Sequence, residues 1–342
     1  MVYNDTAEGL GGGIWMSGQG PAADSQGNLY LSTGNGNVGT AGNPGNTTNR
    51  SDSFVKLTRA GNHMDVTSWF TPYDWQKLEM YDEDLGSAGM VLIPDTTLAL
   101  GGGKEGIIYL VNRDNMGGLS GSTNSDTNVL QSFQLGGLIF GSPVWWDGPD
   151  GSYLYVFPAI DRLRQYKFDR TTEQFQLPAY AQSPTGAPDN GLPGGTLSVS
   201  ANGTNGGSGV VWASHQLTGD ANEEVRPGIL HAYNAQNVSV ELWNSEQLPL
   251  RDSVGNFAKF CPPTVANGKV YLATFSNRIN VYGLLPTITF QVSGAGLILT
   301  WPVGRLQQAD AVTGPYNDVT GAISPYGPPL SGPPRFYRVT VR

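Results

Sequence analysis

Residues 89–115 read GMVLIPDTTLALGGGKEGIIYLVNRDN: an apolar run, an Asp turn, a second apolar run, a glycine-rich polar turn and a third apolar run. Short runs of this kind, bounded by Gly, Pro, Asn and Asp, are strands joined by tight turns. The strand-turn-strand phrase returns as GPAADSQGNLYLSTGNG from Gly20 and GSPVWWDGPDGSYLYVFPAIDR from Gly141. It returns again as GTLSVSANGTNGGSGVVWASH from Gly195 and PPTVANGKVYLATFSNR from Pro262. The pivots Asp24, Asp95, Asp147, Asn202 and Asn267 stand about 50 to 70 residues apart, the spacing of units that each form one four-stranded blade of a propeller.

Each phrase continues into further strands, except that the fifth has only RINVYGLL before Pro286. Met1–Thr6 (MVYNDT) reads as the missing outer strand, so that the termini share the last blade and leave no open sheet edge. The expected fold is therefore all-β: a five-bladed β-propeller over 1–285, closed by an N-terminal outer strand. A small β module occupies 286–342, with strands expected at Thr287–Val292, Leu297–Trp301 and Phe336–Val341. Trp69 and Trp243, ending outer strands, are expected to dock against the next blade.

The phrases GGGIWMSGQGPAADSQGNLYLSTGNG, GGGKEGIIYLVNRDNMGG, IFGSPVWW, SVSANGTNGG and PPTVANGKVYLATFSN resemble bacterial pyrroloquinoline quinone (PQQ)-repeat-like propeller proteins, here reduced to C-terminal blades. The resemblance spans roughly Met1–Leu285 and bears on fold more than on activity. Redox members of that group imply a vicinal Cys pair, a tryptophan floor and a calcium site. This chain has a single cysteine, Cys261, and only five repeats, so PQQ is not expected as a cofactor. The resemblance also implies export, to the periplasm or outside the cell, for the natural full-length relative. Met1 runs into a polar strand, and no signal peptide is expected in this chain.

Composition fits many short strands. Of 342 residues only 14% are charged, whereas 47 are Gly and 23 Pro. The net charge of −9 and scattered Lys and Arg exclude nucleic acid as an expected partner, because phosphate binding needs clustered cations. No apolar stretch reaches the ~18 residues of a membrane helix. Cys261, beside Pro262, is read as a buried structural thiol.

In a propeller, the loops leading into each first strand and leaving each second strand gather on one face. Applied to the repeats, that geometry brings together Gln19, Asn35, Asp84, Lys104, Glu105, Asp161, Arg162, His215, Lys259, Asn277 and Arg278. Two functions follow. In the first, this face binds a small polar molecule or a protein loop without redox chemistry, through Gln19, Asn35, Lys104, Arg162, Lys259, Asn277 and Arg278. In the second, the protein is a hydrolase acting on an ester, lactone, phosphoester or glycoside, with Asp84, Glu105 and Asp161 as bases or ligands and His215 as proton carrier. Asp84 and Glu105 are then the candidate metal ligands, for a hard cation such as calcium. A third outcome, mutual pairing of these side chains to close the face, explains the same mixture of charges without a site.

Overall fold

The computed structural model describes residues 2–39, 48–283, 287–294, 296–302 and 304–340. It separates into two compact units, Met1–Tyr282 and Gly283–Arg342. The first is an all-β propeller. Blade 1 orders Ala22–Ala23, Leu29–Ser32, Phe54–Ala60 and His63–Thr71, and Gly118–Leu119 adds parallel to its outer strand. Blade 2 orders Val91–Leu92, Leu98–Gly102, Ile107–Asn112 and Gln131–Gln134. In blade 3, Val144–Gly148, Gly151–Val156 and Arg162–Asp169 are followed by Gln174–Phe175 and Ala181–Gly186, both paired with the third strand. Blade 4 orders Thr196–Ser200, Val210–Gln216, Gly228–Asn234 and Glu241–Asn244. Blade 5 has three strands, Thr264–Ala266, Lys269–Thr274 and Arg278–Gly283.

Side chains alternate across a strand, and in blades 2, 3 and 4 both faces of the middle strands are covered by neighbouring blades. In blade 2, Leu98, Leu100, Ile108 and Leu110 join Leu154, Val156, Tyr166 and Phe168 of blade 3. The intervening Ala99, Tyr109 and Val111 join Tyr30, Phe54 and Phe70 of blade 1. The two faces explain why LALGG and IIYLV read as continuous apolar runs instead of alternating ones. Tyr153, Tyr155 and Leu163 then meet Val211, Ala213 and Tyr233 between blades 3 and 4. Leu230 and Val254 meet Val270 and Leu272 between blades 4 and 5, with Trp243 against Tyr282 at 5.6 Å. Trp243 thus docks on the following blade, whereas Trp69 carries the Arg50 guanidinium 3.9 Å above its ring.

The turns carry the chemistry their residues suggest. Asp95 and Asn267 sit at φ 59° and 50°, the left-handed region that Asp and Asn tolerate. Asp24 accepts backbone N–H bonds from Gln26 and Asn28, each at 3.0 Å, which fixes the first hairpin.

The expected closure by Met1–Thr6 is not what the chain does. Residues 2–6 form no strand, and the Asp5 carbonyl accepts the Arg50 N–H at 2.6 Å. Tyr3 and Met16 pack on Leu31, Val55 and Leu57, covering the face of blade 1 that looks away from blade 2. The Tyr3 ring thus has a nearer partner than the last blade, while Val2 is exposed. Among the described residues, Arg278–Gly283 pairs only within its own sheet. Met1 and Leu284 lie outside the described residues.

The second unit begins just ahead of the expected Pro286, which lies outside the described residues. Thr289–Ser293 pairs with Gly296–Thr300. A separate sheet orders Asn317–Asp318, Arg305–Ala309 and Phe336–Thr340, the first two being unforeseen. Leu299, Trp301 and Leu306 form its buried centre. Among the described residues no helix is long and apolar enough to cross a membrane.

Candidate functional site

The inner ends of the blades surround one cavity of about 580 Å³. Blade 2 contributes Val91; blade 3 Ser142, Pro143, Val144 and Trp145; blade 4 Thr196, Leu197, Ser198 and Val199. Blade 5 contributes Pro262, Pro263, Thr264 and Val265, and the segment leading into blade 1 supplies Ser17 and Gln19. None of these side chains is ionisable. Most of the polar ones are tethered: Ser17 Oγ donates to the Ser87 carbonyl at 2.6 Å and Gln19 Nε2 to the Met90 carbonyl at 3.2 Å. Ser142 Oγ accepts the Gly89 N–H at 2.7 Å. Ser198 Oγ has no partner. The wall offers apolar surface and neutral hydroxyl and amide groups, the makeup of a binding cavity with few orienting polar contacts.

Three aromatic rings meet beside it. Trp15, Phe140 and Phe260 each stand two residues ahead of a wall residue: Ser17, Ser142 and Pro262. Trp15 lies 5.5 Å from Phe260 and 6.5 Å from Phe140, and Phe140 stacks on Phe260 at 6.1 Å. The backbone is bent to seat them: Met16, Ser17 and Phe260 have φ of 38°, 43° and 63°. A bulky aromatic at positive φ is a strained arrangement that persists only where its surroundings hold it. Gly18, at φ 82°, has no room for a Cβ because the Phe260 carbonyl fills that space. Lys104 and Lys259 flank the trio, their Nζ atoms 5.6 Å from Trp15 and 5.5 Å from Phe260.

The expected polar ring is not gathered at this hub. Of its members, Gln19 alone lines the cavity. Asn35, Asp84 and Lys104 do come together: Asp84 Oδ1 accepts the Asn35 N–H at 2.8 Å, and Lys104 Nζ lies 2.6 Å from Asp84 Oδ2 and 3.0 Å from Asp82 Oδ2. Glu105 belongs to a second network, bonded to Lys77 Nζ and Tyr109 Oη, each at 2.9 Å. Asp161 is clamped by Arg164 at 2.6 and 3.0 Å. Arg162 donates to the Ser183 and Pro184 carbonyls, Lys259 to Asn222 Oδ1 at 3.0 Å, and Arg278 to the Val254 carbonyl at 3.5 Å. Asn277 takes a left-handed turn position at φ 58°. These groups find partners on their own or adjoining loops.

The carboxylates each have a partner of their own. Asp84, Glu105 and Asp161 sit in three separate ion pairs, with Lys104, Lys77 and Arg164. The assignment of Asp84 and Glu105 to one metal has no common donor set: among the described residues no group of three or more His, Cys, Asp or Glu could hold an ion. His215 is buried in blade 4, its Nε2 3.1 Å from His231 Nε2 and its Nδ1 2.6 Å from the Gln216 carbonyl. Burial and then the neighbouring His231 pull its pKa down to about 3. His231 Nδ1 in turn meets Glu241 Oε1 at 2.5 Å. This Glu–His–His chain, packed edge-on against Phe157 at 5.1 Å, joins strands of one blade and runs from the buried His215 to the partly exposed Glu241.

Sequence reasoning missed Asp52. It is fully buried, at φ 44°, with Oδ1 accepting the Leu85 N–H at 3.1 Å and Oδ2 unpartnered. Burial, reinforced by the Asp84 charge, pushes its pKa up to about 8. Asp74 and Asp126 near Glu105 are raised to about 6, chiefly by burial. Apart from Gln19, the wall residues were also missed as a site, although their positions at successive first strands follow from the repeat.

No protein-family model matches the chain, and no curated protein matches it. Among solved structures it is similar to the crystal structure of BamB from Moraxella catarrhalis, with 14% identity over 82% of this chain and 79% of that one, and a TM-score of 0.34.

Proposed function

We propose that the propeller is a non-redox binding module whose ligand is a small, uncharged polar molecule held in the central cavity. The observation that carries this reading is the wall itself: it has the size of a small-molecule site and contains no ionisable side chain. A general acid, general base or activated nucleophile must lie within hydrogen-bond reach of the reacting atoms, and the wall's serines have no titratable partner beside them. A charged ligand would leave its charge desolvated without a counter-charge, which is expensive enough to select against it. Hydroxyl and amide groups on an apolar background instead favour a neutral compound such as a sugar or polyol. Export to the periplasm or beyond is supported by the resemblance of the repeat phrases.

Thermal-shift and calorimetric titrations with neutral mono- and disaccharides, set beside sugar acids and amino sugars, test this reading. A neutral ligand at about 100 times its Kd adds about 2.7 kcal/mol and raises the Tm by a few degrees. Thr264 is an exposed wall residue, so Thr264→Trp fills the cavity without disturbing a core. This variant is expected to abolish binding while the protein remains folded. Preference for the charged sugars, or binding indifferent to Thr264→Trp, would refute the proposal. Capture of a protein loop that Thr264→Trp blocks would replace the small ligand with a peptide.

A further inference from the structure

We infer that Ser198, Ser214 and Gln216 form a recognition site for a neutral hydroxyl group, set behind the cavity wall between blades 4 and 5. Ser214 and Gln216 are fully buried, and neither Ser214 Oγ nor either polar atom of the Gln216 amide has a partner among the described residues. Ser198 Oγ is buried and unpartnered as well. A buried donor or acceptor left unpaired is costly, so four such atoms collected in one place require a group that bonds them.

Strand pairing is what collects them. Trp212 packs in the apolar cluster between blades 4 and 5, whereas Val211 and Ala213 belong to the one between blades 3 and 4. Alternation therefore turns Ser214 and Gln216 toward blade 5 with Trp212, and turns His215 toward Phe157 of blade 3. The register sets Thr196 beside Ser214 and Ser198 beside Trp212, on the same face of the sheet. Thr196 and Ser198 also line the central cavity, so one polar stripe runs from the cavity wall to Gln216. In blade 1, Ser32 holds the place in YLST that Ser214 holds in WASH, and its Oγ donates to the Ala88 carbonyl just ahead of blade 2. The matching carbonyl ahead of blade 5 is that of Cys261, which Thr196 Oγ1 already engages at 3.3 Å, so Ser214 is left free.

Two hydroxyls and a carboxamide offer both donors and acceptors, and none of them ionises. A neutral O–H group, which also donates and accepts, satisfies them, whereas an ion would be desolvated beside them without a counter-charge. In the free protein that group is an internal water. When a molecule occupies the cavity, its own hydroxyl either replaces the water or is bridged by it; this last step rests on the reading of the cavity as a ligand site.

Oxygen-17 water relaxation dispersion and thermal unfolding of the ligand-free chain, set beside Gln216→Met and Ser214→Ala, test the site itself. Methionine keeps the length of the glutamine and removes its hydrogen bonds; Ser214→Ala carries the same comparison should the longer side chain disturb folding. The expected result is a slowly exchanging water that disappears in the variants, with their Tm lowered by a few degrees. An amide that bonds nothing gives the reverse, because deleting an unpaired buried group removes a cost. Slow water unchanged in the variants, with a Tm equal to or above that of the parent, therefore overturns the inference. Neutral mono- and disaccharides are then added. Loss of the slow water on binding, with affinity about tenfold weaker in Gln216→Met, assigns the site to the ligand's hydroxyl; water that stays, with affinity unchanged, assigns it to water. If no sugar binds, the proposed function fails, and the comparison in the free protein still decides this site.

Discussion

Replacing Asp52 by asparagine is expected to stabilise the protein in a pH-dependent way. Asp52 is fully buried and its folded-state pKa is about 8, against an ordinary value of 3.8. Between those values the folded chain holds a proton that the unfolded chain has released. Whatever stability the neutral acid provides is therefore fully present below pH 4 and is lost as pH rises toward 8. At about 1.4 kcal/mol per unit the interval sets a ceiling near ~6 kcal/mol. Asparagine keeps the acceptor for Leu85, tolerates the positive φ and never ionises. Its amide leaves a buried donor unpartnered, as the protonated acid does, so the two proteins should agree within about 1 kcal/mol at pH 4. At pH 7.5 the variant should lead by about 3–5 kcal/mol after relaxation of the charged form is allowed for. Urea unfolding at pH 4, 5.5, 7.5 and 8.5 measures the difference curve, in which the contributions of Asp5, Asp74 and Asp126 cancel because both proteins share them. If the two curves run parallel from pH 5 to 8, or if Asp52→Asn is the less stable protein at pH 8, Asp52 is not a buried neutral acid and the reasoning fails.

Two further perturbations probe other parts of the fold. His215 has its folded pKa depressed to about 3, so its contribution is complete above pH 6.5 and is lost as pH falls toward 3. His215→Gln should flatten acid unfolding by about 3 kcal/mol between pH 6.5 and 4.5, read by tryptophan fluorescence; an unchanged acid limb would show that His215 does not resist protonation. Tyr3→Ala should cost about 2 kcal/mol by uncovering Leu31, Val55 and Leu57, whereas Tyr3→Phe should be nearly neutral because Tyr3 Oη has no partner. Equal losses in both Tyr3 variants by thermal unfolding would argue against ring packing as its role.

Blades 2 and 3 were legible because their middle strands are buried on both sides, so LALGG, IIYLV and SYLYV announce themselves without tertiary knowledge. MVYNDT misled for the converse reason: a short half-apolar segment has no intrinsic partner, and Tyr3 satisfies it on blade 1 instead of blade 5. The polar ring failed on local competition. Lys77 lies in the segment before blade 2 and within reach of Glu83 and Glu105, and Arg164 follows Asp161 by three residues, so these charges pair before they can reach the axis. Spacing reveals which loops share a face but not which neighbour captures a long side chain. Asp52, in the polar run Ser51–Asp52–Ser53, has the sequence appearance of a solvated loop acid, and only its burial distinguishes it.

What occupies the hub instead has a sequence signature of its own. WMSG at Trp15, FGSP at Phe140 and FCPP at Phe260 each place an aromatic residue two positions ahead of a cavity-lining residue. The corresponding approaches to blades 2 and 4 carry Ala88 and Gly194, residues too small to contest the same space. Alternation of large and small around the ring lets three rings from three blades touch, which five large side chains could not do without overpacking. The strained backbone at Met16, Ser17 and Phe260 is then the local consequence of seating those rings. It also links the two readings of this face. Charged loops pair among themselves, with Lys104 and Lys259 against the edges of the aromatic trio, and a neutral ligand held as proposed between the first strands would gain contacts without displacing an ion pair.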